Sequence, residues 1–201
     1  MAGDEAVEIG AVAFAVQQAA AGRVDVVLAY NSDQRDQRMR FSTVPVVREE
    51  VAVFYNRLRP VRFQRVEDLA GYRGGLLYGE SYGAEFDRFV ARHQNIERVS
   101  SSQQNFGKLI RGRIDYVIQE RRTGQLFIEH LPGAQDIRVL PSALSVDYLR
   151  VAVSRRSPLS RHMDEIDAQL QRMNQTGEIA RWLEQSEVTY RDMVNLPADA
   201  R

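Results

Sequence analysis

Short apolar segments alternate with helix-like segments along almost the whole chain, and this alternation constrains the fold more than any other feature. Residues 24–30 (VDVVLAY), 51–55 (VAVFY) and 114–119 (IDYVIQ) are mostly apolar runs of strand length. Runs of this kind are typical of strands that are covered on both faces of a sheet. Because helix-like segments separate them, the pattern predicts an α/β fold with largely parallel sheets.

The remaining elements follow from the same patterns. Further strands are predicted at residues 75–78, 96–99, 137–140 and 148–153. Helices are predicted at residues 11–21, 82–92, 103–111, 123–129, 159–173 and 177–184, with a short helical turn at 66–71 and a polar tail to 201. Trp182, the only tryptophan, shares a helical pattern with Ile179 and Leu183, which predicts that it packs in the core.

One phrase occurs twice in the chain. Residues 18–25 (QAAAGRVD) and 108–115 (KLIRGRID) both combine a helix end, a Gly-Arg-aliphatic-Asp sequence and the start of an apolar strand. Glycine ends helices because it readily adopts the left-handed conformation after the last turn. With 201 residues and about 150 per domain, the chain has room for two small lobes, and the repeated unit favours that division.

Composition excludes several classes of function. The 27 basic and 27 acidic residues cancel, so no net positive charge favours a nucleic-acid partner, and none is predicted. The chain has no cysteine, which excludes disulfides, thiol nucleophiles and cysteine-bound metals. The longest apolar run, residues 10–16, is far shorter than the ~20 residues that span a bilayer, and no signal peptide opens the chain. We expect a soluble globular protein or the mature part of an exported one.

The segment GESYG at residues 79–83 matches the G-x-S-x-G motif of serine hydrolases. The motif follows a predicted strand and precedes a predicted helix. An acidic residue, Asp115 or Asp136, and then His162 come later in the chain, which is the Ser–acid–His order of such hydrolases. A hydrolase core also needs several preceding strands and an oxyanion loop, which the chain lacks. The favoured interpretation is that Ser81 and nearby backbone N–H groups bind an anion.

Cofactor motifs are absent from the sequence. His93, His130 and His162 lack the spacing of a metal site, and neither a phosphate-binding loop nor a dinucleotide fingerprint occurs. No cofactor and no metal are therefore predicted.

Several phrases in order resemble the family 3 extracellular solute-binding proteins, the periplasmic amino-acid receptors of ABC transporters. The resemblance covers about residues 14–185. The matching phrases are GRVD (22–25), SDQR (32–35), RFSTVP (40–45), VEDLAGYRGGLLYGES (66–81), KLIRGRIDYVIQE (108–120), VDYLRVAVSRRSPL (146–159) and LQRMNQTGEIARWLEQ (170–185).

The resemblance implies a set of ligand-binding residues. Arg35 would clamp the ligand carboxylate, and Ser81, with Tyr82 beside it, would donate to the same carboxylate. Glu120 stands where the family usually has an aspartate that pairs with the ligand ammonium. Tyr30 would fill the cleft or replace a stacking aromatic residue that the family carries in its opening segment.

The resemblance also implies a two-lobed type 2 periplasmic-binding-protein-like fold. Lobe 1 would comprise residues 1–53 plus 149–201, and lobe 2 would comprise 54–148, with crossing strands near 53–56 and 148–151. The family's opening strand–helix–strand has no counterpart, so the first lobe is expected to be incomplete. Hinge closure between the lobes would be the functional motion.

The implied function is non-catalytic binding of a small amino-acid-like solute for uptake or sensing, in the periplasm and with a membrane permease as partner. One alternative is a degenerate module for protein–protein interaction. A homodimer is a further alternative. Sheet edges and the apolar helix face of Val12, Phe14 and Val16 would be exposed in an incomplete lobe, and a second copy of the chain would bury them. Another alternative is an enzyme on this scaffold, either the serine hydrolase or a dehydratase.

Overall fold

The computed structural model describes residues 11–195, in which helices and strands alternate as the sequence predicts. The helices are α1 (Ala11–Ala20), α2 (Asp33–Asp36), α3 (Ala84–Val90), α4 (Ser102–Ile110), α5 (Arg121–Glu129), α6 (Met163–Gln175) and α7 (Glu178–Asn195). The strands are β1 (Val26–Tyr30), β2 (Met39–Phe41), β3 (Val47–Asn56), β4 (Gly74–Leu77), β5 (Ile96–Val99), β6 (Tyr116–Glu120) and β7 (Ile137–Ser154). Short 3₁₀ turns lie at Val66–Gly71, Ala134–Asp136 and Pro158–His162.

The strands form a sheet in the order β1-β7-β3-β6-β4-β5, and β2 pairs with β7 on the edge opposite β1. Strand β7 is 18 residues long and replaces the two separate strands predicted at 137–140 and 148–153. That prediction was wrong because Pro141 and Ser142 look like a turn in the sequence. Strand β7 pairs with β3 at residues 137–139 and again from Ala143 to Leu149, and these two stretches hold β7 extended across Pro141 and Ser142, where the register shifts.

Strand direction differs between the two halves of the sheet. Strand β4 pairs in parallel with β5 and with β6, as the alternation of strands and helices predicts. Strands β1, β2 and β3 pair antiparallel with β7, and β3 pairs antiparallel with β6. The prediction of a largely parallel sheet is therefore right for residues 74–120 and wrong elsewhere. The reason is that β7 runs antiparallel to β1, β2 and β3 although helices lie between those strands and β7 in the chain, so alternation of strands and helices does not by itself require parallel pairing.

Buried side chains cover both faces of the sheet. Val51 and Val53 of β3 face a cluster with the 3₁₀ turn Val66–Gly71 and α3, whereas Ala52 and Phe54 face a cluster with α4 and α5. This two-sided burial explains why the run at 51–55 is continuously apolar. A third cluster packs α1 on β1, β2 and β7, with members Val16, Ala19, Ala29, Met39 and Ala152.

Helix α7 departs from the sequence prediction in two ways. It continues to Asn195, where a polar tail was expected after residue 184. Trp182 is 55% exposed, so the prediction that it packs in the core was wrong. Ile179 and Leu183 lie one turn apart on the inner side of α7, and the 100° step between residues turns Trp182 away from them. No helix within residues 11–195 is both long and apolar enough to cross a membrane.

Candidate functional site

Polar side chains from neighbouring strands lie on one face of the sheet. Tyr30 of β1 lies opposite Leu149 of β7, and Asp147, two residues earlier in β7, lies opposite Glu49 of β3. Because alternate residues of a strand point to the same face, Tyr30, Asp147 and Glu49 share that face. The structure thus brings Tyr30, one of the predicted ligand-binding residues, next to carboxylates from two other strands.

Glu120 joins the same face from β6. It lies opposite Val51 of β3, two residues after Glu49, so the two glutamates point to one side of the sheet. Glu80 lies in the loop after β4, close enough to Glu120 for the negative charge of Glu120 to raise the pKa of Glu80. We call Glu49, Glu80, Glu120 and Asp147 the acidic cluster.

Burial raises the pKa of every carboxyl group in the acidic cluster, and neighbouring negative charges raise each of them further. Burial also raises the pKa of the Tyr30 hydroxyl, and the charge of Glu120 is the next contribution. Like charges placed directly opposite one another on paired strands destabilise a sheet. Such a concentration of unfavourable charge is typical of functional sites.

Arg35 lies between two parts of the chain that are far apart in sequence. Its helix α2 begins after Ser32, whose hydroxyl accepts a hydrogen bond of 3.4 Å from the Arg35 amide. One guanidinium nitrogen of Arg35 donates to the Tyr30 carbonyl at 2.8 Å, and the other donates to the Gly79 carbonyl at 3.5 Å. Its positive charge lowers the pKa values of Glu80 and Asp147, so Arg35 lies near the acidic cluster.

Ser81 and Tyr82 donate to a carboxylate of the chain itself. The Ser81 hydroxyl donates to Asp87 Oδ2 at 2.5 Å, and the Tyr82 amide donates to Asp87 Oδ1 at 3.1 Å. The Tyr82 ring is buried beside Phe86, and its hydroxyl accepts a hydrogen bond from the Leu77 amide. The side chain of Tyr82 is therefore part of the core, and the loop's donors are occupied by Asp87.

The residues considered for a catalytic triad do not come together in the described part of the chain. The Ser81 hydroxyl donates to an aspartate, whereas His162 lies at the start of α6 with its Nδ1 2.7 Å from Glu165. Asp115 and Asp136 both pair with arginines. The geometry does not activate Ser81 as a nucleophile, because no imidazole reaches its hydroxyl.

Sequence reasoning missed three members of the acidic cluster. Glu80 lies inside the GESYG motif, whose interpretation from the sequence rests only on its serine. Glu49 and Asp147 lie in long strands, and only the pairing of those strands brings them together. The usable signal in the sequence was a pair of charges, Glu49 and Glu50, directly before the apolar run at residues 51–55.

Solved structures of known proteins share this fold. A mutant of ArgBP from T. maritima matches with a TM-score of 0.70 and 19% identity over 85% of this chain and 72% of its own. The amino acid ABC transporter substrate-binding protein AbpA from Streptococcus pneumoniae, bound to L-arginine, matches with a TM-score of 0.71 and 20% identity over 89% and 74% of the two chains. A histidine kinase sensor domain with similarity to periplasmic binding proteins matches with a TM-score of 0.70 and 18% identity over 85% and 72%.

These likenesses concern the fold, since no protein-family model and no curated protein matches the sequence. The neighbours include substrate-binding proteins and a sensor domain, and each is longer than the part of it that this chain matches. The sheet, with helices on both faces, agrees with the architecture that the resemblance implied. The chain therefore has a mixed α/β fold like that of periplasmic binding proteins and covers part of that fold.

Proposed function

We propose that this chain binds a small, amino-acid-like polar solute without transforming it. The observation that carries the proposal is the convergence of Tyr30 and Arg35 on the acidic cluster, of which Glu120 is a member. Ligand sites with this arrangement recognise a zwitterion or a cation, because carboxylates bind ammonium groups and a guanidinium binds a carboxylate. The negative excess at this site favours a ligand with at least one positive group.

The names of the fold neighbours support this class of ligand. AbpA is described as bound to L-arginine and as an ABC transporter substrate-binding protein. We propose a comparable role outside the cytoplasmic membrane, in the periplasm, with a membrane permease as partner in uptake. The kinase sensor domain supports sensing as the other use of the same binding step.

We further propose that the ligand lies between two lobes, residues 1–53 plus 149–201 and residues 54–148. In this proposal strands β3 and β7 connect the lobes, and β3 pairs with residues 137–149 of β7. Their register shifts twice, between Val51 and Ala52 and between Ala52 and Phe54. Irregular pairing of this kind accommodates bending, so we place the hinge there.

Titration calorimetry with L-arginine, L-glutamate and putrescine tests the proposal. We expect Arg35→Ala to lose about 2–5 kcal/mol of binding for ligands with a carboxylate, because the partner charge is left unpaired. Glu120→Gln should weaken amines more than it weakens simple carboxylates. Arg62→Ala, which removes an exposed arginine, is the matched control. Absence of binding by all three compounds, or unchanged affinity in both site variants, would remove the proposed function.

A second candidate function is a protein–protein interaction module, and the edge of the sheet favours it. In the described part of the chain β1 is an outer strand, and Val26 and Leu28 are 40% and 50% exposed. The Ser154 amide donates to the Asp25 carbonyl, so odd-numbered residues of β1 bond to β7 and even-numbered ones direct backbone groups outward. Arg35 occupies the outward carbonyl of Tyr30. The outward groups of Val26 and Leu28 suit pairing with a strand of a second copy.

Measurement of the oligomeric state tests this second candidate function. If β1 pairs with another copy, Leu28→Lys should convert a dimer into a monomer, because a charge at a sheet edge opposes pairing. Leu58→Lys, at a residue that is 69% exposed elsewhere, should leave the dimer intact. Light scattering that shows a monomer for the unmodified protein would reject it.

On α1, Phe14 is 55% exposed and Val16 is buried, while the side chain of Val12 lies outside the described part.

A further inference from the structure

Helix α7 has its one fully buried side chain near its beginning, and in its later turns the half-buried Tyr190 meets the His130 ring edge-on at 6.3 Å. Of residues 178–193, only Ile179 is buried, at 5% exposure. Trp182, Val188 and Met193 are each more than half exposed. Apolar burial is the main source of stability for a helix in a folded protein. Apolar packing of the later turns of α7 is therefore sparse, and another kind of attachment is expected there.

Ion pairs supply that attachment. Glu187 of α7 accepts a hydrogen bond of 2.6 Å from Arg122 of α5, and Arg191 lies 3.7 Å from Glu187. Arg191 also donates to Glu129 at the other end of α5, at 3.0 Å. Glu187 is central because it contacts both arginines, and its side chain is 23% exposed.

The network continues into the candidate site. The Arg122 guanidinium also lies 3.8 Å from the carboxylate of Glu49 on β3, a member of the acidic cluster. Arg122 lowers the pKa of Glu49, whereas burial raises it most. One arginine is thus shared between the acidic cluster and α7.

Solvent reaches these ion pairs. They line an open groove of about 420 Å³ between β3, α5 and α7, which Leu126 of α5 also lines. Salt weakens interactions between solvent-accessible charges, since the Debye length falls from ~10 Å at 0.1 M to ~3 Å at 1 M ionic strength. The attachment of the later turns of α7 is therefore sensitive to salt.

We propose that α7 is a strap, clasped onto α5 by the ion pairs of Glu187 and Arg191, that detaches while the sheet stays folded. Detachment leaves Arg122 paired with Glu49 alone and changes the charge balance beside the acidic cluster. Local opening of this kind is typical of elements with few buried apolar contacts.

Hydrogen exchange and tryptophan fluorescence of the whole chain test the strap. Trp182 is the only tryptophan in the sequence and lies on α7, so its anisotropy reports on the strap. Glu187→Gln removes the charge that both arginines contact and should speed amide exchange in residues 184–195 about fivefold, as expected from the loss of exposed ion pairs. Exchange in β6, a central strand, should not change. Asp136→Asn, which breaks the Arg57–Asp136 pair away from α7, is the matched control.

Salt dependence provides the second measurement, in case the variant does not fold. Raising sodium chloride from 0.1 M to 1 M should lower the Trp182 anisotropy of the unmodified protein and speed exchange in α7 before β6 is affected. The strap is overturned if α7 and β6 exchange at the same rate and respond together. It is also overturned if neither Glu187→Gln nor salt changes the exchange of α7.

Discussion

The hydroxyl of Ser81 donates a 2.5 Å hydrogen bond to the carboxylate of Asp87, six residues later in the chain. The second oxygen of the same carboxylate accepts from the Tyr82 amide. The chain therefore places its own carboxylate on the donors that the family resemblance assigns to a ligand carboxylate. If a ligand carboxylate binds at this site, Arg35 is the predicted residue that remains to hold it.

Asp87→Ala should destabilise the loop of residues 79–83. The substitution leaves the Ser81 hydroxyl and the Tyr82 amide without their partner, and hydrogen bonds to charged groups contribute about 1.5–3 kcal/mol each. We expect a loss of about 2 kcal/mol in the free energy of unfolding, measured with urea. Glu85→Ala, at an exposed position of the same helix, should change stability by less than about 0.5 kcal/mol. Equal effects of the two substitutions would contradict the role of Asp87.

Glu120→Gln should stabilise the protein at neutral pH. Burial and then the charge of Asp147 raise the pKa of Glu120, so the folded state binds its proton more tightly than the unfolded state does. This contribution to stability is complete at pH values below the pKa of Glu120 in the unfolded state. It is lost as the pH rises through the pKa of Glu120 in the folded state. Removing the charge should raise the melting temperature at pH 7.5 by roughly 2–4 °C, as about 1 kcal/mol does for a domain of this size.

At pH 3.5, where Glu120 is protonated in both states, the same substitution should have little effect. Thermal melts of the two proteins at both pH values provide the comparison. A variant that is less stable at pH 7.5 would show that the charge of Glu120 is compensated within the protein.

Asp167→Ala should loosen the connection between α6 and the segment after β2. The Asp167 carboxylate accepts hydrogen bonds from the Thr43 amide, the Thr43 hydroxyl and the Val44 amide, at 2.7–3.1 Å. We expect a loss of about 2 kcal/mol in urea unfolding, because three donors lose a charged partner. Asp164→Ala, at an exposed position in the same helix, is the control and should change stability little. A loss confined to Asp164→Ala would contradict the prediction.

Gly124→Ala should destabilise the packing of α5 on β3. Gly124 is buried, and an added Cβ would collide with the ring of Phe54, which is itself fully buried against Phe106. Overpacking of this kind typically costs about 1–3 kcal/mol, more than alanine gains in helix propensity. Gly71→Ala is the matched control, because an added Cβ meets nothing within 4 Å there. Denaturant unfolding of both variants measures the difference, and a neutral Gly124→Ala would show that Phe54 can move.

The α/β class, the positions of most elements and the parallel unit at residues 74–120 could be predicted from the sequence. These features depend on local properties: apolar runs of strand length, glycines such as Gly22 and Gly112 at helix ends, and serine at the start of α4. Such signals act over a few residues and keep their meaning wherever the segment lies in the fold. The predicted roles of Arg35, Ser81 and Glu120 came instead from the family resemblance of the phrases around them.

The tertiary structure alone decided the antiparallel half of the sheet, the unbroken β7 and the composition of the acidic cluster. Glu49 and Asp147 are 98 residues apart in the chain, and they face each other only because β3 and β7 pair in one particular register. A shift of one residue would turn either side chain to the opposite face. Similarly, the exposure of Trp182 depends on which side of α7 packs against its neighbours. Local sequence determines which elements form, whereas long-range pairing determines which side chains meet, because register and packing depend on residues that are distant in the chain.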